Sequence, residues 1–490
     1  HPRTQKTTFL FSKLERMLGN LDEFNPSPEQ LEHLKAYKEM DKSEFISKLA
    51  DQVADIRGRD REALVVMLTL LSPLQIEFNN RPLDRGWIES CFIGDSSQGK
   101  SELPKRILNF VGTLNMVSGA NTTAAGMVGG VDKHDNTQYI SWGVLPNSDK
   151  TIVFMDEVEK LQQNSDAFHA LREIRTSGKA VISKIRKGTK ICRVRIIASA
   201  NAEKGKSMDM YKRGCQAIMG IMEGPDARRF DIFQFFFKDD VSVDVSMRES
   251  LERKIDISQE MLRTVVLWAW TRDITQIKFT QEVTKDILLR ARKLSAKFQA
   301  ASATIPIITT DAHIKLARIT AAMAMVNMRT DDFEKLIPTM ADVHMAYTLL
   351  DETYASKNVA LDEEALECDR KLSVPTDWLM NFRRLMKRHE LSQSIDIVEA
   401  VAHINTLDRI RADELCLYLR ASRTDITKLL QLMAVDSLLE SDYGGTYKPT
   451  TKMNRLIKLL RDTNPAYADS LKDKKEAPKE GNEEDIFDGI

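Results

Sequence analysis

The segment Gly94-Asp95-Ser96-Ser97-Gln98-Gly99-Lys100-Ser101 constrains this chain more than any other. It satisfies G-x-x-x-x-G-K-[ST], follows the apolar run Ile88–Ile93 and precedes a stretch with helical spacing, Glu102–Val111. Glycine lets the backbone wrap closely around phosphate, with successive N–H groups pointing inward and a helix N-terminus behind them. In such a loop Lys100 neutralises the β- and γ-phosphates of ATP, and the Ser101 hydroxyl holds Mg²⁺. A solvated glycine loop meets the same pattern by chance, but the strand in front of it argues against that. At least part of the chain must therefore fold as an α/β nucleotide-binding core.

The surrounding texture agrees. From 88 to 240, short β-rich runs (Ile88–Ile93, Thr151–Met155, Arg195–Ala200, Ile232–Phe237) alternate with polar helical stretches, as in a parallel α/β sheet. Before them, Ser27 is a candidate cap for a helix through Tyr37, and residues 43–72 read as helical with a break at Gly58. After them, Leu262, Val265, Val266 and Trp268, then Ile314, Ile319, Met323 and Val326, give the periodicity of a helical lid. The 490 residues thus divide into a linker or remnant (1–40), an α/β core (41–245), a helical lid (246–360), a third unit (372–461) and an acidic, disordered tail (462–490). No internal repeat is present.

Bulk properties exclude several classes. A formal net charge of −1 leaves polyanion binding to local basic patches. Cys91, Cys192, Cys215, Cys368 and Cys416 lie too far apart for a zinc ribbon or a disulfide framework, which fits a reducing, intracellular compartment. No apolar run reaches the roughly 18 residues of a membrane span, so no membrane association is expected. The start at His1, with no signal-peptide pattern, reads as the cut end of a longer chain.

Three more elements follow the loop in order. Thr151–Met155 runs into Asp156 and Glu157, placing one carboxylate to reach the Mg²⁺ shell and the other to polarise an attacking water. Asn201 sits at the tip of the run Arg195–Ala200, where it could sense a γ-phosphate or serve only as a turn residue. Arg229, in Arg228-Arg229-Phe230-Asp231, can reach a neighbouring chain's γ-phosphate or form a surface ion pair. Between them, the arms Ala180–Ile185 and Ile191–Ile197 flank Lys187-Gly188-Thr189, a predicted hairpin whose tip crowds Lys184, Arg186, Lys187 and Lys190. The alternatives for that tip are a polyanion grip and a hydrated surface hairpin.

With these residues in view, the chain resembles the minichromosome maintenance (MCM) family of AAA+ replicative helicases over roughly residues 25 to 330. Gly94-Asp95 and Lys100-Ser101 match the ends of GDPGTAKS, although Ser96-Ser97-Gln98-Gly99 replaces its middle. Asp156–Lys160 is similar to DEFDKM, Arg229-Phe230-Asp231 to SRFD, Leu49–Asp60 to SIAPSIYGHED and Thr122–Val128 to TTGKGSSAVGL, which leads to the family's helix-2 insert. Ala180–Gly188 is similar to QTISIAKAG, the pre-sensor-1 hairpin, and Arg186 aligns with its channel lysine. The resemblance implies an AAA+ P-loop core with a helical lid and a C-terminal winged helix. It also implies a homo-oligomeric ring, hexameric in the family, in which Lys184, Arg186 and Lys187 grip single-stranded or forked DNA. One departure is Asp311, which stands where PITTRQLEAL carries an arginine toward the neighbour's nucleotide; Lys315 or Arg318 takes over, or the contact is lost. The family's N-terminal zinc and OB-fold region is not represented, and the divergent loop leans toward a viral, mobile-element or bacterial relative. Location follows lineage: cytoplasmic in a prokaryotic or viral setting, nuclear in a eukaryotic one.

Residues 372–461 read as helices Thr376–Arg388, Asp396–Ile404, Ala412–Leu419 and Ser422–Met433, then a β-like return through Ser437–Ser441 and Thr446–Pro449. In a winged helix, Ser422, Arg423, Thr427 and Lys428 would face a DNA groove, with Tyr447 and Lys448 in the wing; protein contacts or regulation are the other uses of that shape. The tail Glu483–Ile490 carries acids around Phe487, a candidate docking peptide for a replication partner. The leading functional expectation is an ATP-driven DNA helicase. The alternatives are an AAA+ remodeller or loader acting without processive unwinding, and a nucleotide-gated DNA-binding scaffold.

Overall fold

In the computed structural model, the described residues are 21, 23–134, 137–161, 165–183, 187–203, 206–241, 256–391, 395–404, 407, 409–442 and 445–463. They form two compact units, one ending at Leu366 and the other beginning at Glu367.

The first unit is organised by five parallel strands: β1 (Glu89–Gly94), β2 (Met116–Ser118), β3 (Ile152–Asp156), β4 (Arg195–Asn201) and β5 (Ile232–Phe236). Their order across the sheet is β5-β1-β4-β3-β2. All six residues of β1 and all five of β5 are buried, which is why these strands read as unbroken apolar runs in the sequence. Only β2 escapes that signal, because its three residues bury Val117 alone. The register pairs Asn201 and Phe236 with Gly94, and Ser118 with Asp156. The ends of all five strands therefore meet at one carboxyl edge.

Besides the short antiparallel hairpin Ile76–Phe78/Arg81–Leu83, two longer ones accompany the sheet. One joins Gly129–His134 to Thr137–Trp142, and the other joins Lys179–Ser183 to Lys187–Ile191. The second is shifted from its predicted arms. Lys187 pairs with Ser183 and so belongs to a strand, not to the tip, while Lys184 and Arg186 lie outside the described residues. The run Ile191–Ile197 misled the reading because it straddles two elements, the hairpin's last residue and the start of β4. The hairpins pack together closely: a Cβ on Gly188 would lie 2.4 Å from Ile140 Cδ1.

Helices Gln259–Trp270, Gln281–Phe298, Ala312–Val326 and Met340–Tyr354 follow the sheet. Helix Pro28–Glu39, closed by a Ser27–Gln30 capping box, is tied to them by Tyr37, whose hydroxyl donates to Val326 O at 2.9 Å. Trp270 Nε1 donates to Leu70 O at 2.6 Å. Beside it, Arg195 is fully buried with its guanidinium 5.1 Å from the Trp270 ring. Backbone carbonyls of Ser72 and Lys150 accept from Arg195 at 2.7 and 2.6 Å, and burial pushes its pKa down to about 9.

The second unit contains helices Trp378–Arg388, Ile397–Ile404, Ala412–Leu419, Arg423–Val435 and Thr451–Thr463, with an antiparallel pair Leu439–Asp442 and Thr446–Pro449. The final helix was not anticipated. Trp378 stacks on Phe382 at 4.6 Å, and Ile426, Leu430, Met433 and Leu456 complete the buried centre.

Candidate nucleotide site and the opposite edge of the sheet

The loop after β1 takes its shape from two glycines. A Cβ on Gly94 would lie 2.6 Å from Phe236 on the neighbouring strand, and Gly99 has φ +82°, a left-handed conformation costly for other residues. Helix Glu102–Val111 follows directly, burying Leu103, Ile107, Leu108 and Val111. Ser101 occupies the cap position without capping the helix. Its hydroxyl donates instead to Asp156 Oδ1 at 2.8 Å.

Asp156 is the hub of this edge. Besides Ser101 it accepts from Ser199, and Lys105 Nζ lies 2.9 Å from Oδ2. Burial alone would raise its pKa, but the bonds from Ser199, Lys105 and Ser101 hold the carboxyl below the usual range. Lys100 Nζ donates to Asn201 Oδ1 at 2.6 Å and to Asp95 O at 3.1 Å. Burial lowers its pKa, against the pull of Glu159, Asp156 and Asp95. Asn201 is oriented from its other side, donating to Glu159 Oε1 at 2.9 Å. Glu157 ends the cluster with φ 55° and an ion pair to Lys160 at 2.5 Å.

The structure thus brings Lys100, Ser101, Asp156, Asn201 and the loop residues Asp95 and Ser96 into one connected set, with Ser96 Oγ 3.5 Å from Asn201 Oδ1. Ser97 has φ 64°, and Gln98 completes the loop between it and Gly99. Sequence reasoning missed Lys105, Ser199 and Glu159 as members. The signal for two of them was available: Lys105 is four residues after Ser101 on a helix, and Ser199 alternates with Asn201 along β4.

The chemistry of this edge fits a nucleoside triphosphate with Mg²⁺. Asp95 Oδ2 and Glu159 Oε2 are buried acceptors without a partner among the described residues, which a water or a metal-bound water, not a phosphate oxygen, would satisfy. Ser101 and Asp156 supply hard oxygens, and no cluster of three or more His, Cys, Asp or Glu that could hold a metal exists among the described residues.

Arg229 is elsewhere. It ends helix Gly224–Arg229, just before β5, and Asp231 N donates to Glu89 O at the first residue of β1. Because the strands are parallel, Arg229 lies at the amino edge of the sheet, opposite the phosphate loop. Its guanidinium donates to Pro225 O at 2.8 Å and lines a cavity of about 590 Å³ with Arg85, Arg228, Asp311, Lys315 and Arg318. The buried Asp231 pairs with Arg85 at 2.5 Å and Arg318 at 3.0 Å. Lys315 donates to Phe230 O and Ile307 O at 2.7 and 2.8 Å, and burial lowers its pKa to about 8. Neither candidate substitute for the lid arginine is unengaged. Asp311 instead meets half-exposed Arg228 at 3.3 Å.

A family model, the MCM P-loop domain, matches residues 31–287. The chain belongs to the MCM family. That P-loop domain carries the AAA+ type of α/β core. Among MCM relatives, the maternal DNA replication licensing factor mcm6 of Xenopus tropicalis is 24% identical over 483 residues, 88% of this chain and 55% of its own length. The DNA replication licensing factor mcm6 of Schizosaccharomyces pombe is 28% identical over 284 residues, 54% of this chain and 30% of its own. Mcm6 of Drosophila melanogaster is 27% identical over 240 residues, 48% and 28%. The aligned part of this chain spans at most about half of these MCM relatives. Among the described residues, no helix is long and apolar enough to cross a membrane.

Proposed function

We propose that the chain is an ATP-hydrolysing DNA helicase or translocase of the MCM type, working in DNA replication as a ring of copies, six in the simplest arrangement. The observation that carries this reading is that Lys100, Ser101, Asp156 and Asn201 meet at one edge of the sheet while Arg228 and Arg229 stand at the other. On this reading the carboxyl edge binds phosphate and activates water, and the arginines of the amino edge, Arg228 and the partly buried Arg229, serve a neighbouring copy. Head-to-tail stacking of copies brings the two together and closes into a ring.

In this reading Lys100 and the amides of Gly94–Ser101 hold the phosphates. Ser101 and Asp156 would hold Mg²⁺, which when bound would supply charge neutralisation for the phosphates. Glu157 orients and deprotonates the attacking water after leaving Lys160, and Asn201 reports on the γ-phosphate once Lys100 turns from its amide to phosphate. Arg229 of the next copy stabilises the developing charge. Lys184, Arg186 and Lys187 of the Lys179–Ile191 hairpin grip DNA backbone in the channel, and the second unit serves as a winged helix.

Lys100→Ala is expected to abolish ATP turnover in purified protein, and Glu157→Gln to retain ATP binding while slowing hydrolysis about 10²- to 10⁴-fold. Wild-type rates in either variant would sink the assignment. Replacing Lys184, Arg186 and Lys187 with Ala is expected to spare basal ATPase and abolish unwinding of a labelled fork; a chain that still unwinds grips DNA elsewhere. Normal ATPase with no strand displacement in the unmutated chain would favour a remodeller or loader.

A further inference from the structure

The second unit carries a cationic face where a groove-reading helix would not put it. Helix Trp378–Arg388 buries Trp378, Phe382 and Met386 at four-residue spacing. At 100° per residue, Arg383, Arg384, Lys387 and Arg388 fall on the opposite side of that helix. All four are exposed, and no carboxylate among the described residues pairs with them; Arg384 reaches only Met380 Sδ, at 3.7 Å. Arg383 with Lys387, and Arg384 with Arg388, are like charges at i,i+4, each costing the helix about 0.2–0.5 kcal/mol. The helix C-terminus relieves part of that repulsion, and an added polyanion would relieve the rest.

Several of the positions expected to face DNA are otherwise engaged, although Lys428 is exposed. Arg423 pairs with Asp413 at 3.1 Å, Lys448 with Asp442 at 2.8 Å, and Tyr447 is held in a bridge to Ile410 and packs on the core. Helix Arg423–Val435 also carries Asp425 in its first turn. We infer that the second unit binds the phosphate backbone of duplex DNA through Arg383, Arg384, Lys387 and Arg388, independently of sequence and of nucleotide. This contact goes beyond the channel grip and stands whether or not the chain hydrolyses ATP.

The test is fluorescence anisotropy of a labelled duplex with the full chain, without ATP, between 50 and 200 mM salt. A Lys184, Arg186 and Lys187 to Ala background removes the channel contribution. Adding R383A/R384A/K387A/R388A is expected to flatten the slope of log K against log salt by about 3 to 4, near 0.9 per phosphate contact, and to weaken binding at least tenfold at 50 mM. Alanine favours helix, so the unit should stay folded, as circular dichroism would check. The charge-keeping variant R383K/R384K/R388K should retain the slope. An unchanged slope in the alanine variant overturns the proposal. So does loss confined to R423A/K428A/K448A, or intact duplex binding with lost binding to polyglutamate.

Discussion

Chains carrying Arg229→Ala are expected to lose about 10³-fold or more of their ATP turnover, and to regain it when mixed with chains carrying Glu157→Gln. The first variant keeps Glu157 and lacks the arginine; the second has the opposite defect. In randomly mixed rings about one interface in four joins an intact Glu157 to an intact Arg229, so turnover should return to about a quarter of the wild-type rate. The expectation follows from the sheet register, since Phe236 pairs with Gly94 at one edge while Asp231 meets Glu89 at the other. A mixture that stays inactive, despite assembling, would mean that Arg229 does not complete a neighbour's site. Arg228 offers a graded comparison. Held by Asp311 and half-exposed, it stands beside Arg229 in the same cavity, and its removal should cost less than that of Arg229.

The largest structural effect is expected at Asp231. This fully buried carboxylate takes ion pairs from Arg85 and Arg318 and a backbone N–H from Glu89 at 3.0 Å. Asp231→Ala leaves those cations buried without their partner, a loss of about 3–5 kcal/mol and a drop in the first unit's thermal midpoint on the order of 10 °C. Asp231→Asn keeps hydrogen-bonding capacity and should fall between. Burial pushes the Asp231 carboxyl up, but Arg85, Arg318 and Lys315 outweigh burial and hold it below the usual carboxylate range. The native carboxyl therefore takes up its proton less readily than the unfolded one. Its stabilisation is complete above about pH 4, the unfolded value, and disappears as the pH falls through the lower folded value. Denaturant titrations of wild type and Asp231→Asn should converge across that acidic window. A difference that persists unchanged to pH 2 would contradict the assignment.

Local patterns made most of the core legible. Four of the five sheet strands were visible as apolar runs because both of their faces are covered, and the Ser27 cap was visible because capping is a short-range hydrogen-bond pattern. The loop's residues were legible for the same reason, since a phosphate cradle is built from consecutive amides. What the sequence hid depends on approach between distant segments. Arg228 and Asp311 are 83 residues apart, and nothing local tells that one holds the other. Glu159 was visible only as one acid among three; its hold on Asn201 arises from the placing of β3 beside β4. The hairpin Gly129–Trp142 went unread because its arms, with Asp132, Lys133 and Gln138, are too polar to signal strands. The basic helix of the second unit was read as a helix but not as a surface, because the three-helix pattern drew attention to Arg423 and Lys428.

The central strand β4 has a mechanical consequence. It is seven residues long, about 23 Å, and is paired with β1 through Ile196–Asn201 on one side and with β3 through Arg195–Ala198 on the other. One end carries Asn201, against Lys100; the other is separated from the hairpin's Ile191 only by Cys192, Arg193 and Val194. The stretch Ile196–Ala198, paired on both flanks, resists bending and makes the strand a stiff link between its two ends. In the proposed site, a phosphate that moved Asn201 would act on the hairpin's base through that link. Gly188 leaves no room for a Cβ beside Ile140, so that link ends where the two hairpins lie against each other.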